Sequence, residues 1–423
     1  MIDLENGVID ISVFGSAGGV AKAVLSVLNK TAKDPDDPLH PLLKQSKLHL
    51  IDRKQKSIED YERICPFLMP RSTLYTLDLD DLAEVRRHLS DTGTGLVIDL
   101  SWADTVDMLS ICNELGIAYV NSALESAEVD RDETLDGYTL MERYTRMESV
   151  RSRFTGMKGL ICSGMNPGVV QWMAHERMNE FPDETPLACY IVERDDTFFQ
   201  DKSLAREDSL YASWSPECYL DEAIDNYPMF VQQHTPIHLY TPVYAQEFKV
   251  TLGDIQFYGS LVPHEEVLTL GRLYPMEFGF IYKVNEYTTQ QIRDYLHEKD
   301  YLWSLQAKVF DPAEALLEGE DLVGVLLVYE DKERYMYNVM NSQSVYQQFG
   351  TNATYLQVAC GVYAAVCTLM LDNVPSGVHY VDELLAVDKH IRYGSYVSQY
   401  MTTFVKGENG ASEGSLLKRM RKA

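Results

Sequence analysis

Apolar residues recur in two rhythms over the first 165 positions. Short aliphatic and β-branched runs, Val8–Phe14, Leu48–Ile51, Leu74–Leu77, Gly95–Leu100 and Ile117–Asn121, have the length and composition of strands. Between them, apolar residues spaced three and four apart predict helices over Val20–Leu28, Arg53–Ile64, Asp80–Leu89 and Thr105–Leu115. A long charged helix falls within Asp130–Phe154, and Gly159–Cys162 is one more strand. Strands alternating with helices predict a parallel, doubly wound sheet of the Rossmann kind.

From Pro186 the pattern changes. Cys189–Glu193, Phe248–Leu252, Ile255–Leu261 and Val323–Tyr329 read as strands of a different sheet. The expectation is an α/β protein: an N-terminal Rossmann sheet over 1–165, then a second α+β substrate domain over 166–350 with its own mixed sheet. The run Thr354–Met370 is too hydrophobic to stand alone, so 351–405 is expected to pack helices back on the first domain. The segment 406–423 mixes Gly, Ser and charge and reads as a flexible tail.

Charge narrows the partners. The chain has 37 Lys+Arg against 64 Asp+Glu, a net −27 over 423 residues. The tail from Lys406 onward holds five basic and two acidic residues, so the remaining body carries −27 − 3 = −30. Such a body repels nucleic acid and anionic lipid and attracts cations. Cys65, Cys112, Cys162, Cys189, Cys218, Cys360 and Cys367 are scattered and never in C-x-x-C spacing, which predicts reduced thiols and a cytoplasmic protein. The acidic start MIDLENGVID lacks a signal-peptide core, and the longest apolar run, Val358–Leu371, is short of the ~20 residues a membrane span needs. No membrane and no nucleic-acid partner is expected.

The turn Gly15-Ser16-Ala-Gly18-Gly19, set between a strand and a helix, has the form of a dinucleotide-binding turn whose first fingerprint glycine is replaced by Val13. Glycines let backbone approach a pyrophosphate, and the helix start supplies amides. Asp52, ending the second strand, suits a ribose hydroxyl and disfavours a 2′-phosphate; a helix cap is its bland alternative. No metal motif is present: His175-Glu176 lacks a second histidine.

Carboxylates and aromatics crowd the second half. Glu193 sits in Ile191-Val-Glu193-Arg194-Asp195, Trp214 and Glu222 in Trp214-Ser-Pro-Glu217-Cys-Tyr219-Leu-Asp221-Glu222, and His264 in Val262-Pro-His264-Glu265-Glu266. Taken singly, each has a structural reading as ion-pair, core or solvent-facing residue.

Together with Gly164-Met-Asn166-Pro167-Gly168 and Asn352-Ala-Thr354-Tyr-Leu-Gln-Val, these segments resemble homospermidine synthase, a family within the saccharopine-dehydrogenase-like oxidoreductases. The resemblance runs from Val8 to about Asp388. It implies NAD as a recycled hydride carrier and putrescine, or spermidine, as cationic substrate. Hydride is abstracted from one diamine, the imine exchanges with a second and releases ammonia, and hydride returns to give homospermidine. It implies Glu193, Trp214, His264 and Asn166 as catalytic residues, and Glu125, Glu222, Glu193 and Trp214 on the substrate. It assigns the cofactor to Gly15, Ser16, Gly18, Gly19, Asp52, Asp99, Asn166 and Pro167, with no metal, and a homodimer as the assembly. Two other readings stand: a carboxynorspermidine, carboxyspermidine or saccharopine-type dehydrogenase, for which Arg194 is a candidate carboxylate partner, and a non-catalytic dinucleotide-binding protein.

Overall fold

The computed structural model describes residues 9–423. Val8 and the acidic stretch before it lie outside the described residues. The described chain divides into two compact units, the first made of 9–132, Glu142–Val169 and Leu356–Met401, the second of Glu133–Met141, Val170–Tyr355 and Thr402–Ala423.

Unit 1 is a seven-stranded parallel sheet among the described residues. Its strands β1 (Asp10–Phe14), β2 (Leu48–Asp52), β3 (Ser72–Thr76), β4 (Thr94–Asp99), β5 (Ala118–Asn121) and β6 (Lys158–Leu160), with Gly377–His379 outermost, lie in the order Gly377–His379, β6, β5, β4, β1, β2, β3. This is the Rossmann order, and it places the change of winding direction between β1 and β4, where ligands of such sheets bind. Most strand residues of β1, β2, β4 and β5 are buried, as they must be with helices on both faces. Local chemistry sets the helix ends. Asp104 caps Thr105–Leu115 by accepting from Val106 N and Asp107 N, and Gly116 ends it in the left-handed conformation.

Several expectations shift. The helix predicted over Arg53–Ile64 begins only at Ile58, because Ser57 and Asp60 form a reciprocal capping box there and leave 53–57 as loop. The charged helix is confined to Thr139–Arg151. Residues 133–141, expected in the first domain, belong to unit 2, where Leu140 N donates to Asn226 Oδ1 at 3.2 Å. The hydrophobic run forms helix Ala353–Leu371, whose most apolar window is 83% buried. Within unit 1 it meets the Gly164–Gly168 turn at Gly361, where a Cβ would lie only 1.9 Å from Gly164 O, and Ser163 Oγ donates to Gly361 O at 3.0 Å.

Unit 2 holds a ten-stranded mixed sheet among the described residues. Its main path runs Val405–Asn409, Glu333–Met340, Asp321–Val328, Ala188–Asp195, Glu277–Lys283, Ile255–Val262, Gln246–Leu252, Met420–Lys422. Ala188–Asp195 and Glu277–Lys283 run parallel at its centre; the other neighbours on this path are antiparallel. Strand alternation sorts the central residues. Tyr190 and Val192 join Leu261, Ile281, Leu322 and Leu326 in an apolar core on one face. Glu193 and Asp195 therefore belong to the other.

The tail does not follow the expectation of mobility. Val405–Asn409 pairs with Glu333–Met340, and Met420–Lys422 with Gln246–Leu252. The charges that suggest solvation in the sequence are partnered: Arg419 is buried on Glu333, and Arg421 bonds Glu247. Fixed partners replace the water that such side chains would otherwise keep.

Candidate functional site

Two sets of predicted residues assemble, one within each unit. In unit 1 the turn after β1 is shaped by Gly15. Its φ of +69° favours glycine, and a Cβ would stand 2.4 Å from Leu100 O, so backbone from β1 and β4 closes tightly here. Gly18 is the N-cap of α1 (Gly19–Lys33), which has no side-chain cap and no acidic residue in its first turn. Its leading amides and dipole are thus available to an anion. Asp52 holds the turn: Oδ2 accepts from Ala17 N at 3.1 Å and Oδ1 from Lys54 N at 2.8 Å. Each oxygen keeps a further lone pair, enough for ribose hydroxyls. Ser16 differs from the rest of the set. It is buried, its N–H donates to Ile51 O and its hydroxyl pairs with Tyr61 OH at 2.9 Å, so its polar atoms brace the turn from within.

Asp99 ends β4 and accepts from Ser101 Oγ at 2.6 Å and Tyr119 OH at 2.8 Å. Burial pushes its carboxyl upward against these bonds. Asp99, Ser101, Thr105, Asn121 and Glu125 line one small polar depression at the carboxyl ends of β4 and β5. Glu125 is fixed there by its backbone, N donating to Thr105 Oγ1 at 3.0 Å. Half-buried Asn166 and buried Pro167, joined by a cis peptide, follow β6 in a turn closed by Gly164 N to Pro167 O at 2.7 Å. These residues fit a dinucleotide: an uncapped glycine turn, an acid at the end of β2, and polar groups at the carboxyl ends of the strands.

In unit 2 the second set converges. Tyr282 is the hub, and sequence reading passed over it. It lies in register with Glu193 on the adjoining strand, and its hydroxyl accepts from Trp214 Nε1 at 3.2 Å. Its ring stacks on Phe280, which meets the edge of His264 at a centroid distance of 5.0 Å. Tyr219 contacts both Trp214 and Tyr282. Trp214 is half-buried. The segment bearing it is clamped by Ser213 Oγ to Asp195 and by Asn352 Nδ2 to Ser213 O at 2.6 Å.

His264 sits among carboxylates. Nδ1 bonds Glu266 and lies 3.6 Å from Glu265; Nε2 lies 3.6 Å from Glu222. Burial alone would lower its pKa, but the negative charges of Glu266 and Glu222 prevail and raise it to about 10. His264 therefore carries its proton at neutral pH. Burial drives Glu222 upward, with His264 pulling the other way. One buried oxygen on each of Glu222 and Glu266 has no hydrogen-bond donor. His264, Glu265 and Glu266 also bring one ligand-type atom each within 4.8 Å of one another.

A further carboxylate was missed. Asp321 is in register with Asp195 on the sheet face of Glu193, and accepts from Thr354 Oγ1 at 2.5 Å. Burial, then Glu193 and Asp195, push it well up. Its only sequence signal was its place at the start of the run Leu322–Val328, directly after Glu320. Arg194, by strand alternation, points to the face opposite Glu193.

The chain matches no protein-family model and no curated protein sequence. Among solved structures it resembles apo saccharopine dehydrogenase (L-Glu forming) from Saccharomyces cerevisiae, with a TM-score of 0.57 at 11% identity over 94% of this chain and 100% of that one. A myo-inositol dehydrogenase from Corynebacterium glutamicum reaches a TM-score of 0.33 at 11% identity, over 66% and 69% of the two chains. The first likeness gives the protein the saccharopine-dehydrogenase-like α/β fold, a Rossmann-like parallel sheet with a second mixed-sheet unit; at that identity it speaks for fold alone. The second is too distant to carry an argument.

Proposed function

We propose that the protein is an NAD-dependent enzyme of the homospermidine synthase type, joining two small diamines with release of ammonia. The observation that carries this reading is the pair Glu222 and Glu266, each with a buried oxygen lacking a donor, held around His264, whose ring meets Phe280 in the stack that leads to Tyr282 and Trp214. Buried acceptors call for donors with positive charge, and an ammonium supplies up to three.

NAD supplies the acceptance and return of a hydride; the turn at Gly15 to Gly19 and Asp52 would hold it. Glu222 and Glu266 hold an ammonium end of the diamine. The reacting amine must lose a proton before its carbon gives up hydride. His264 already holds one, so Glu193 is the base and His264 protonates the departing ammonia. The indole face of Trp214 stabilises the cationic imine without trapping it, worth ~2 kcal/mol when desolvated. A body charge of −30 concentrates dications around the protein.

A second reading, reduction of a carboxylated imine by a saccharopine-type dehydrogenase, is compatible with the fold. Such a substrate needs a cation beside the acid site. The candidate, Arg194, lies on the opposite sheet face, which supports the diamine. Incubation with putrescine and NAD⁺ separates the readings. Triamine and ammonia without accumulated NADH support the synthase; NADH-dependent reduction of a carboxylated imine supports the dehydrogenase; neither reaction overturns both.

A further inference from the structure

Some cations of unit 2 take two carboxylates each: Lys406 has Glu176 and Glu180, and Arg334 has Glu184 and Glu408. At one place in the same unit the ratio is reversed. An open groove of about 480 Å³ lies where Gln246–Leu252, Ile255–Val262, the end of Glu277–Lys283, helix Glu286–Asp294 and Met420–Lys422 meet. Its lining residues include Lys283, Arg293, Arg421 and Lys422 against Glu247 and Glu286, a surplus of two positive side chains before the carboxylate of Ala423, which also lines it, is counted.

Glu247 serves two arginines at once. Arg293 Nη2 donates to its Oε1 at 2.5 Å, and Arg421 donates to its Oε2 through Nε at 2.9 Å and Nη2 at 2.7 Å. One negative charge thus faces two positive ones. Arg293 Nε is buried and donates to nothing. Lys283 forms no ion pair among the described residues; Arg194, in register with it on the adjoining strand, lies 3.5 Å from Asp196. The groove also has an aromatic wall, with Arg421 stacked 3.3 Å over the Tyr258 ring, which fixes that guanidinium in place.

We infer that this groove is a binding site for a small polyanion, of the di- or tricarboxylate or phosphate kind, held by Lys283, Arg293 and Arg421. Planar guanidinium groups and an unpaired ammonium match the oxygens of such ligands in geometry as well as charge. The site differs in sign from the carboxylate cluster around His264 and does not depend on the reading given to that cluster. The two share a wall: Tyr282 lines the groove and also holds Trp214.

Titration calorimetry of the full chain with citrate and, separately, inorganic phosphate at constant ionic strength tests this. Saturable binding of one or both is expected, and which one binds identifies the carboxylate or phosphate source. Lys283→Gln and Arg293→Gln should each weaken it by about tenfold or more, as loss of one charge-assisted contact implies. Lys389→Gln, an exposed lysine of unit 1, should leave it unchanged. Arg293 supports buried Glu247, so its variant risks misfolding; Lys283→Gln breaks no ion pair and decides the matter. Absence of saturable binding by either anion, or equal binding by wild type and a folded Lys283→Gln protein, overturns the proposal.

Discussion

The glycine turn of unit 1 and the carboxylate cluster of unit 2 solve opposite problems by opposite means. The turn must receive negative charge and is built almost entirely from backbone over five successive residues, with one carboxylate, Asp52, bracing it through the Ala17 amide. The cluster must receive positive charge and is built from side chains drawn from three strands and two helices or their flanks. Its carboxylates are buried beside one another and around His264. A backbone site fails when its geometry is disturbed; a buried side-chain site fails when its charge balance is.

The sharpest test of that contrast is Glu266→Gln. It leaves protonated His264 short of its nearest counter-charge in a buried place, and breaking a buried pair from one side costs roughly 3–5 kcal/mol. Denaturant unfolding should show a loss of this size, and the double change with His264→Gln should recover much of it. A Glu266→Gln protein as stable as wild type would mean that the cluster carries no such balance.

Gly15→Ala is the counterpart. It adds no charge, but it places a side chain in the left-handed region at about 1–2 kcal/mol, before the clash with Leu100 O is counted. Fluorescence titration should show NADH binding lost while amine binding to unit 2 persists. Parallel loss of both would break the distinction between the two sites.

Acidity and alkalinity should act on different units. In unit 1, His49 and His88 are buried with ring nitrogens that lack hydrogen-bond partners, and burial, then His49, lowers His88 to about 4. A depressed histidine contributes stability that is lost as pH falls from about 6.5 toward 4, because the unfolded chain takes up the proton first. His264, raised to about 10, contributes in full below about 6.5 and loses its contribution as pH rises toward 10. Each slope is at most about 1.4 kcal/mol per pH unit. Hydrogen exchange resolved by unit should show unit 1 loosening on the acid side, flattened by His88→Phe, and unit 2 on the alkaline side.

The smallest effect should come from Trp214→Phe. It removes the bond to Tyr282, worth about 0.5–1.5 kcal/mol, and weakens the cationic face. Thermal melting should barely move, and triamine formation should fall in the order Trp, Phe, Ala. Near wild-type synthesis by Trp214→Ala would remove the indole from the mechanism.

Much of unit 1 could be read from sequence because its determinants are local. The β-branched runs, the helix periods and the Gly15–Gly19 turn lie contiguous in the chain, and a parallel sheet built from them has few alternatives. The second sheet was legible only in part. Glu277–Lys283 and Glu333–Met340 carry the Phe, Tyr, Ile and Val of strands and were legible but passed over, whereas the polar tail segments Val405–Asn409 and Met420–Lys422 are strands because of what they pair with. Tyr282 and Asp321 joined the candidate site through register, and Ser16 turned inward because Tyr61 lies behind it. Which residues carry carboxylates, indole and imidazole was written in the sequence. That His264 holds its proton among Glu222, Glu265 and Glu266, that Arg194 faces away from Glu193, and that Arg419 and Arg421 tie down the tail were decided by tertiary structure. Register and burial, unlike residue type, are set by contacts between segments far apart in the chain.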